Sequence, residues 1–364
     1  MSRPARARID LDALRHNLLY ARTLAGQSRI VAVVKANAYG HGAVPVARAL
    51  AGQVDALAVA CIEEALELRD SGIGANILLL EGIFSPDEIL LADRHRLALV
   101  VHSLEQVAWV LEARPRRPLD CWLKLDTGMH RIGLDPTDLT CAYTALRRAP
   151  QVGNLVLMTH FARADEPAQE ATSQQMERFR AACAGLDAPR SLANSAALIA
   201  YADAHADWVR PGLMLYGVSP FGQEHPSARR LRPVMRLESA LIAVRDLPAG
   251  ESVGYGGRFV CPGPMRVGVV ALGYADGYPR HAPDGTPVAV RGQITRLVGR
   301  VSMDMLMVDL SALRDIRVGD PVELWGPQIS AAAVAEASGT IAYQLFTGVS
   351  ARVAKDYGNE PSSP

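Results

Sequence analysis

The sequence predicts an α/β fold in which an N-terminal (β/α)8 TIM-type barrel is followed by a mainly β domain. Before residue 232, short apolar runs alternate about eight times with helical segments, which is the spacing of a parallel barrel. After Arg232-Pro233, glycine and proline separate short β-prone runs, and one short helix is expected. The expected domains are residues 1–232 and 233–364, with residues 1–10 able to add a strand to the second domain.

Length and charge exclude several classes of function. A chain of 364 residues exceeds one ordinary hydrophobic core, which agrees with two domains. Lysine plus arginine equal aspartate plus glutamate at 38 each, so no bulk attraction to nucleic acid or to an anionic membrane is expected. We find no secretory signal and no apolar run as long as a membrane span. Five scattered cysteines without metal-ligand spacing indicate reduced thiols, no metal site and a cytoplasmic location.

The barrel elements are predicted in chain order from their apolar runs. A short strand at residues 7–10 precedes a helix that Asp10 or Asp12 can cap. The eight barrel strands are expected at residues 30–34, 56–60, 77–80, 97–101, 121–125, 154–158, 192–193 and 208–209.

Helix starts between these strands have recognisable capping signals. Ser85-Pro86-Asp87-Glu88 has a serine cap, proline at the first helical position and glutamate three residues after the cap. Ser103 to Gln106 repeats this pattern, and Asp135-Pro136 starts the helix that reaches about residue 148. Further helices are expected at 43–51, 62–69 and 173–184. The alternative architecture, an open doubly wound sheet, usually has fewer strands and a Gly-x-Gly-x-x-Gly turn that this chain lacks.

The second domain is predicted from shorter segments. Its strands are expected near residues 236–245, 253, 267–272, 288–290, 306–310 and 322–324, with one helix at 330–336.

Lys35 directly follows the first barrel strand, where Asn37, Gly40 and Gly42 indicate a turn. A lysine at the carboxyl end of a buried parallel strand is a candidate nucleophile or base of the Schiff-base type. The alternative is a lysine that reaches past the strand end into solvent.

The carboxyl ends of all barrel strands face one mouth, so the residues that follow them are expected to meet. They combine cations, an imidazole, hydroxyls and backbone N–H groups, which suits a dianionic phosphate on a planar ring. His160 taken alone could equally be a structural histidine. The residues expected at this mouth are Lys35, Tyr39, Lys124, Asp126, Arg131, His160, Asn194, Ser195, Arg210, Gly212 and Leu213.

Residues 34–42 (Val-Lys-Ala-Asn-Ala-Tyr-Gly-His-Gly) resemble the pyridoxal-phosphate signature of the alanine racemase family. Further blocks that resemble this family follow in family order and cover almost the whole chain. The resemblance implies a homodimeric, fold-type III isomerase that interconverts L-alanine and D-alanine with pyridoxal 5'-phosphate. It would provide D-alanine for the peptidoglycan of the cell wall or L-alanine for catabolism. The further blocks lie at residues 124–133, 159–161, 194–195, 210–212, 253–256, 273–280 and 301–305.

The resemblance also implies catalytic roles. Lys35 would bind the cofactor covalently and act as one base, and Tyr255 would be the other base, in the partner subunit's site. Met303 would contact the substrate through its backbone, also in the partner's site. Arg131 would hold the cofactor phenolate and the substrate carboxylate, and a carbamylated Lys124 would fix Arg131.

The cofactor contacts are implied in the same way. Arg210 would face the pyridine nitrogen and keep it unprotonated, since arginine does not readily give up a proton. This arrangement would limit side reactions such as transamination. The ring and phosphate contacts would come from Tyr39, His160, Asn194, Ser195, Gly212, Leu213 and Tyr343, with Asp304, Tyr274, Asp165 and Arg280 in supporting positions.

Three other functions compete with this interpretation. A racemase of wider substrate range is the first. A pyridoxal-phosphate decarboxylase of the same layout is the second, although such enzymes usually place a glutamate where Arg210 stands and lack the equivalent of Tyr255. A non-catalytic pyridoxal-phosphate-binding barrel is the third, and the residues after 232 argue against it.

Overall fold

The computed structural model describes residues 3–222 and 224–358, and it contains a closed parallel barrel beside a mainly antiparallel sheet. Eight strands, β2 to β9, close the barrel, because the last pairs with the first through Arg29 and Trp208. The predicted fold class is confirmed. The strands up to residue 209 are β1 (Arg6–Asp10), β2 (Arg29–Val33), β3 (Ala56–Val59), β4 (Ile77–Leu79), β5 (Leu97–Val101), β6 (Leu119–Lys124), β7 (Val152–Met158), β8 (Arg190–Ser191) and β9 (Trp208–Val209).

Helices connect the barrel strands and cover them. Asp10 caps the first helix by accepting N–H groups from Asp12 and Ala13, and Ser103 and Asp135 cap two later helices as expected. Among the described residues, no helix has both the length and the apolar character needed to cross a membrane. These helices are α1 (Leu11–Ala25), α2 (Lys35–Tyr39), α3 (Ala43–Leu50), α4 (Ile62–Asp70), α5 (Glu88–His95), α6 (Leu104–Glu112), α7 (Pro136–Arg148), α8 (Ala171–Ala182) and α9 (Ser195–Ala200).

Two boundary predictions were wrong. The helix expected to start after Ser85 begins at Glu88, whose carboxylate accepts the Phe84 N–H at 3.0 Å instead of closing a capping box on the serine. The seventh barrel strand is Arg190–Ser191 rather than residues 192–193, which lie in the buried core just past the strand. The apolar residues Leu192 and Ala193 are buried, but the strand's backbone pairing ends at Ser191, so the apolar run predicted burial and not the strand.

An eight-stranded sheet surrounds the long strand β10, which pairs with β1, β13 and β17, while β11 and β12 form a separate two-stranded sheet. β1 also pairs in parallel with β18, so the start of the chain lies inside this sheet. The strands are β10 (Met235–Leu247), β11 (Ser252–Val253), β12 (Phe259–Val260), β13 (Met265–Val270), β14 (Pro287–Val290), β15 (Gln293–Arg296), β16 (Leu306–Asp309), β17 (Pro321–Trp325) and β18 (Ala354–Gly358), with helices α10 (Ala331–Ala337) and α11 (Ala342–Gly348).

The second half of the chain touches the barrel at the turn that follows β2. At Gly40, a Cβ atom would lie 2.0 Å from the carbonyl oxygen of Phe346, and at Gly42 it would lie 2.0 Å from Tyr357 Oη. Both glycines also have positive φ, so both the lack of space and the backbone conformation exclude a side chain at each position. Helix α11, which the sequence did not predict, therefore packs directly on the segment after Lys35.

Candidate active site

A cavity of about 1190 Å³ opens at the carboxyl ends of the barrel strands. Twelve of the residues named from the sequence line it, so one chain assembles most of the expected site. They are Lys35, Tyr39, Lys124, Arg131, His160, Asp165, Asn194, Ser195, Arg210, Gly212, Leu213 and Tyr343.

The segment after Lys35 is a left-handed turn built from residues other than glycine. Residues 36–39 all have φ between 52° and 54°. This conformation costs about 1–2 kcal/mol per residue for an L-amino acid, so neighbouring groups must hold it. Glu64 on α4 accepts the Ala36 N–H at 2.7 Å and the Ala60 N–H at 2.8 Å. The Asn37 side chain accepts the Ala43 N–H at 2.7 Å.

His41 stabilises the same turn from inside the protein. It is fully buried, and its Nδ1 lies 2.9 Å from the Tyr39 carbonyl and 3.1 Å from the Ala38 carbonyl. Burial lowers the pKa of His41 to about 4, so the ring is neutral and Nδ1 carries the proton that it donates. The turn is therefore fixed by two polar side chains, the half-buried Glu64 and the buried His41, that the sequence reasoning did not single out.

The turn places the Tyr39 hydroxyl beside Gly212, whose N–H group is hydrogen-bonded to Ser195. A Cβ atom at Gly212 would lie 2.5 Å from Tyr39 Oη, so only glycine leaves room for this hydroxyl. The N–H groups of Gly212 and Met214 both donate to Ser195 Oγ, at 2.8 and 3.3 Å. None of the hydrogen bonds found among the described residues uses the Leu213 N–H. Hydroxyl and N–H donors thus converge on one corner of the cavity, as an anion requires.

Two tyrosines at this corner are kept protonated by burial. Burial raises the pKa of Tyr39, and burial followed by the charge of Asp165 raises that of Tyr343 to about 12. The two rings are 5.6 Å apart, and Tyr39 also stacks on Tyr216 at 4.7 Å. Both phenols can therefore donate hydrogen bonds into the cavity at neutral pH.

Arg210 stands at the end of β9 and is almost fully buried. Its guanidinium donates to Ser191 Oγ at 2.5 Å and to the carbonyls of Thr159 and Leu192 at 2.6 and 3.2 Å. Burial lowers the pKa of Arg210 to about 10, so the group stays cationic at neutral pH. These bonds fix one orientation of the cation.

His160 is positioned through its own backbone. Gln175 on α8 donates to the His160 carbonyl and to Thr127 Oγ1, both at 3.1 Å, and accepts the Ala162 N–H at 2.9 Å. Burial, with the charge of Arg210 and nearby cations, lowers the pKa of His160 well below its ordinary value. A neutral imidazole therefore faces the cavity.

Lys124 is the most perturbed lysine of the site. Burial lowers its pKa to about 7, and the charges of Arg131, Arg210 and Lys35 act in the same direction. Arg131 lies on the loop after β6, which is closed by the hydrogen bond from the Leu134 N–H to the Lys124 carbonyl at 2.8 Å.

Asp126 stabilises this loop but contributes little opposing charge. Its Oδ1 accepts the N–H groups of Gly128, Met129 and His130 at 2.8 to 3.1 Å. Its effect on Lys124 is the only one that raises that pKa, and it is the smallest contribution. None of the ion pairs found among the described residues involves a cation of the mouth, that is, Lys35, Lys124, Arg131 or Arg210.

Several positioning residues were missed by the sequence reasoning. Gln175 could have been noticed because it lies on the buried stripe of α8, where a polar residue needs a partner. Glu64 carried no comparable signal, since a glutamate in the first turn of a helix is common. Its partner Ala36 lies 28 residues away and meets it only in the folded chain, whereas Ala60 is a local partner.

Six residues named from the sequence lie outside the cavity lining: Asp126, in the loop after β6, and five residues of the second domain. Tyr255 is 70% exposed in a 3₁₀ turn, Tyr255–Gly257, and Met303 is 53% exposed in the loop before β16. The Arg280 guanidinium lies 6.0 Å from the Tyr274 ring, and Asp304 accepts a hydrogen bond from Arg352 at 2.6 Å. Within one chain, the sheet residues and the cavity are separate.

Comparisons with known proteins cover nearly the whole chain. Residues 9–220 match the family model described as "Alanine racemase, N-terminal domain", and residues 234–357 match the one described as "Alanine racemase, C-terminal domain". The chain is 56% identical over 358 residues to "Alanine racemase, catabolic" of Pseudomonas putida, covering 98% of this chain and 100% of that protein. It is 55% identical to an alanine racemase of Azoarcus sp. over 95% of this chain and 97% of that protein.

Solved structures agree with these relatives. The biosynthetic alanine racemase of Pseudomonas aeruginosa superposes with a TM-score of 0.95 at 50% identity, covering 98% of this chain and 100% of that one. The alanine racemase of Acinetobacter baumannii superposes with a TM-score of 0.91 at 38% identity, over 98% and 99% of the two chains.

Proposed function

The chain belongs to the alanine racemase family of pyridoxal 5'-phosphate-dependent isomerases, and from this premise we propose that it interconverts L-alanine and D-alanine. We further propose that Lys35 and Tyr255 are the two proton-transfer residues and that they come from different copies of the chain. The observation that carries the proposal is the convergence of twelve expected residues on the cavity around Lys35.

The cavity fits the cofactor. Its anion-binding corner, formed by Tyr39, Ser195, Gly212, Leu213 and Tyr343, offers neutral donors without a nearby carboxylate except Asp165, which suits a phosphate group. The narrow approach of Tyr39 Oη to Gly212 is the kind of cradle in which backbone can reach a phosphate.

Other residues of the cavity would hold the ring. We assign Arg210 to the ring nitrogen, because its guanidinium is fixed in one orientation and remains charged at neutral pH. We assign the neutral His160 to the ring face, and Asn194 to the cofactor side of the cavity, where it also caps α9 through the Ala197 N–H.

When bound, pyridoxal phosphate withdraws electrons from the substrate α-carbon and makes its proton acidic. Racemisation then requires a proton to leave one face of that carbon and another to reach the opposite face. Lys35 Nζ would exchange a proton with the α-carbon on one face, and Tyr255 Oη on the other. Arg131 would bind the substrate carboxylate.

Lys124 would supply the anion that the cation cluster needs. An amine whose pKa lies near 7 is largely neutral at physiological pH and can attack CO2. A new N–C bond forms, one proton leaves to solvent, and the product is a carbamate anion. That anion would sit beside Arg131 and fix the guanidinium by a charge-assisted hydrogen bond.

The second base would come from a second copy. Tyr255 is exposed in the single chain, so its phenol is available to a partner's cavity. Met303, which is exposed in the loop before β16, would enter that cavity too, with Tyr274, Arg280, Asp304 and Asp165 at its entrance. This proposal makes the homodimer necessary for catalysis.

The net direction of the reaction depends on the relative concentrations of L-alanine and D-alanine. Enantiomers have equal free energies in water, so the enzyme catalyses both directions and its role follows from which isomer is made and which is consumed. The chain is similar to relatives described as catabolic and as biosynthetic, so the same chemistry serves both roles.

We also propose a cytoplasmic location, which the free cysteines support. We place the domain boundary near residue 232, in the segment that neither family model matches.

The substrate is tested with purified protein and a panel of L- and D-alanine, serine, lysine and glutamate. We expect the highest kcat/KM for alanine in both directions. Preference for another amino acid would favour the racemase of wider range, and absence of turnover with bound cofactor would favour the non-catalytic alternative.

Shared sites are tested with hybrid dimers that carry two affinity tags. One chain carries Lys35→Ala and the other Tyr255→Phe. If the two bases come from different copies, one of the two sites keeps both, and about half of the wild-type activity per dimer is expected. If both bases belong to one chain, each site lacks one base and the hybrid is inactive.

A further inference from the structure

Four charged residues form an ion-pair network at the edge of the sheet, which we call the Met303 clamp. Arg3 contacts both carboxylate oxygens of Asp276, one of them at 2.7 Å, and donates to the Asp304 carbonyl at 3.1 Å. Arg352 donates to the Asp304 carboxylate at 2.6 Å and lies 3.7 Å from Asp276. Two cations and two anions therefore link the start of the chain, the segment before β14 and the loop before β16.

The clamp encloses the backbone that carries Met303. The Tyr274 N–H donates to the Ser302 carbonyl and the Ala275 N–H to the Met303 carbonyl, both at 3.0 Å. A Cβ atom at Gly273 would lie 2.3 Å from the Ser302 oxygen and 2.5 Å from the Met303 oxygen, so only glycine permits this approach. The two segments are thus joined into one unit by two backbone hydrogen bonds and a close backbone approach.

The exposed residues of this unit have few other means of support. Met303 is 53% exposed and Tyr274 is 36% exposed, so core packing does not fix either side chain. Asp276 is fully buried, and its carboxylate also accepts the Gly273 N–H at 2.9 Å. A buried carboxylate requires its cation, so the position of the unit depends on Arg3 and Arg352.

We propose that Arg3 and Arg352 are positioning residues for substrate binding, because they fix the Met303 backbone and Tyr274. The inference rests on the proposed function, in which Met303 lies in the partner's cavity and Tyr274 lies at its entrance. Arg3 then acts on the active site of the other copy, although it belongs to the first strand region of its own chain. Its removal weakens alanine binding more than it slows the chemical step.

Steady-state kinetics of Arg3→Ala and Arg352→Ala test this inference. We expect KM for alanine to rise roughly tenfold, with kcat reduced by less than about threefold, since the contacts that bind substrate are displaced while both bases remain. Arg3→Lys and Arg352→Lys keep a cation and should recover part of the loss. Arg6→Ala is the matched control, because Arg6 lies near Arg3 and pairs at 3.2 Å with the exposed Asp356. An unchanged KM in both clamp variants, or an equal rise in Arg6→Ala, would overturn the inference.

Hybrid dimers show on which site the clamp acts. In the first hybrid, one chain carries both Lys35→Ala and Arg3→Ala and the other is wild type; the surviving site then uses the altered clamp, and a raised KM is expected. In the second, one chain carries Lys35→Ala and the other Arg3→Ala; the surviving site then uses the intact clamp, and KM should be normal. The reverse result, with KM raised only in the second hybrid, overturns the inference.

The hybrid of Lys35→Ala with Tyr255→Phe separates the two possible failures. If that hybrid is inactive, the shared site itself is wrong. If it is active while the Arg3→Ala defect follows the chain that provides Lys35, the shared site stands and the clamp inference alone fails.

Discussion

The barrel mouth and the exposed edge of the sheet hold the two halves of the proposed site in opposite ways. At the mouth, Arg210 is held by buried oxygen acceptors, and burial, with the charges of Arg131, Arg210 and Lys35, lowers the pKa of Lys124 to about 7. At the sheet edge, Tyr255 and Met303 are largely in solvent and are carried by turns. The mouth is therefore largely enclosed within one chain, whereas the exposed half acquires its environment only when another surface covers it.

Because one half is buried and the other is exposed, removing a side chain has different consequences for activity and stability in the two halves. Removing a group from the mouth leaves unmatched charges or unpaired polar atoms in a low-dielectric region, so both chemistry and stability suffer. Removing an exposed side chain from the sheet edge costs the fold little and affects only the complex that needs it. The following predictions test this contrast.

The largest effect is expected for Lys35→Arg. Arginine keeps the positive charge but can neither attach to the cofactor nor exchange a proton at neutral pH, so kcat/KM should fall by a factor of about 10³ or more. The chain has only three lysines, and Lys355, which is half-buried at β18, provides the matched substitution Lys355→Arg. Steady-state racemisation of both variants is the measurement, and comparable activities would remove Lys35 from the mechanism.

The second effect concerns Lys124. Lys124→Met removes the proposed carbamate and leaves Arg131 without its anion, so kcat/KM should fall roughly 10- to 100-fold. Wild-type protein in ¹³C-bicarbonate should give a carbamate signal in ¹³C NMR that Lys124→Met lacks. A signal of equal intensity in both proteins would assign it to another amine.

The same lysine gives a pH dependence of stability when CO2 is excluded. Because burial lowers the pKa of Lys124 from 10.5 to about 7, the unfolded chain binds one more proton than the folded chain between these values. The free energy of unfolding should therefore rise with pH by about 1.4 kcal/mol per pH unit from pH 7 upward, relative to Lys124→Met, and show no such slope below pH 7. Denaturant unfolding of both proteins in CO2-free buffer measures this difference. A flat difference across pH 7 to 9 would contradict the lowered pKa.

Much of the barrel and its mouth could be predicted because their signals are local. Buried parallel strands read as apolar runs, and the polar residue that follows each run marks the mouth, as Lys35 and Arg210 do. Helix α11 could not be predicted in this way, since it is as short as α10 but lacks the side-chain cap that Ser330 gives to α10. The partners of Glu64 and the clamp that joins Arg3 to Asp276 depend on contacts across the fold, and no local pattern encodes them.

A fourth prediction concerns space at the mouth. Gly212→Ala places a Cβ atom 2.5 Å from Tyr39 Oη, and the stacked, buried ring of Tyr39 cannot easily retreat. The affinity for pyridoxal phosphate should fall roughly tenfold, because one donor of the proposed phosphate corner is displaced. Gly263→Ala is the control, since no atom lies within 4 Å of a Cβ there. Equal cofactor affinities, measured by titration of the two apo-proteins, would show that Tyr39 does not contact the phosphate.

The smallest effects are expected when one hydroxyl is removed from each region and the free energies of unfolding are compared. Tyr216 is fully buried behind the mouth, and its Oη donates to the Val33 carbonyl at 2.9 Å. Tyr216→Phe leaves that carbonyl without this donor and should lower the free energy of unfolding by about 1–2 kcal/mol. Tyr255→Phe removes a hydroxyl from an exposed ring and should change it by less than about 0.5 kcal/mol. Thermal and denaturant unfolding of both holoenzymes provide the comparison, and Tyr255→Phe should lose racemisation while keeping its stability. If Tyr255→Phe instead destabilised the protein as much as Tyr216→Phe does, the Tyr255 hydroxyl would contribute to the stability of the fold, and the contrast between the buried mouth and the exposed turn would fail.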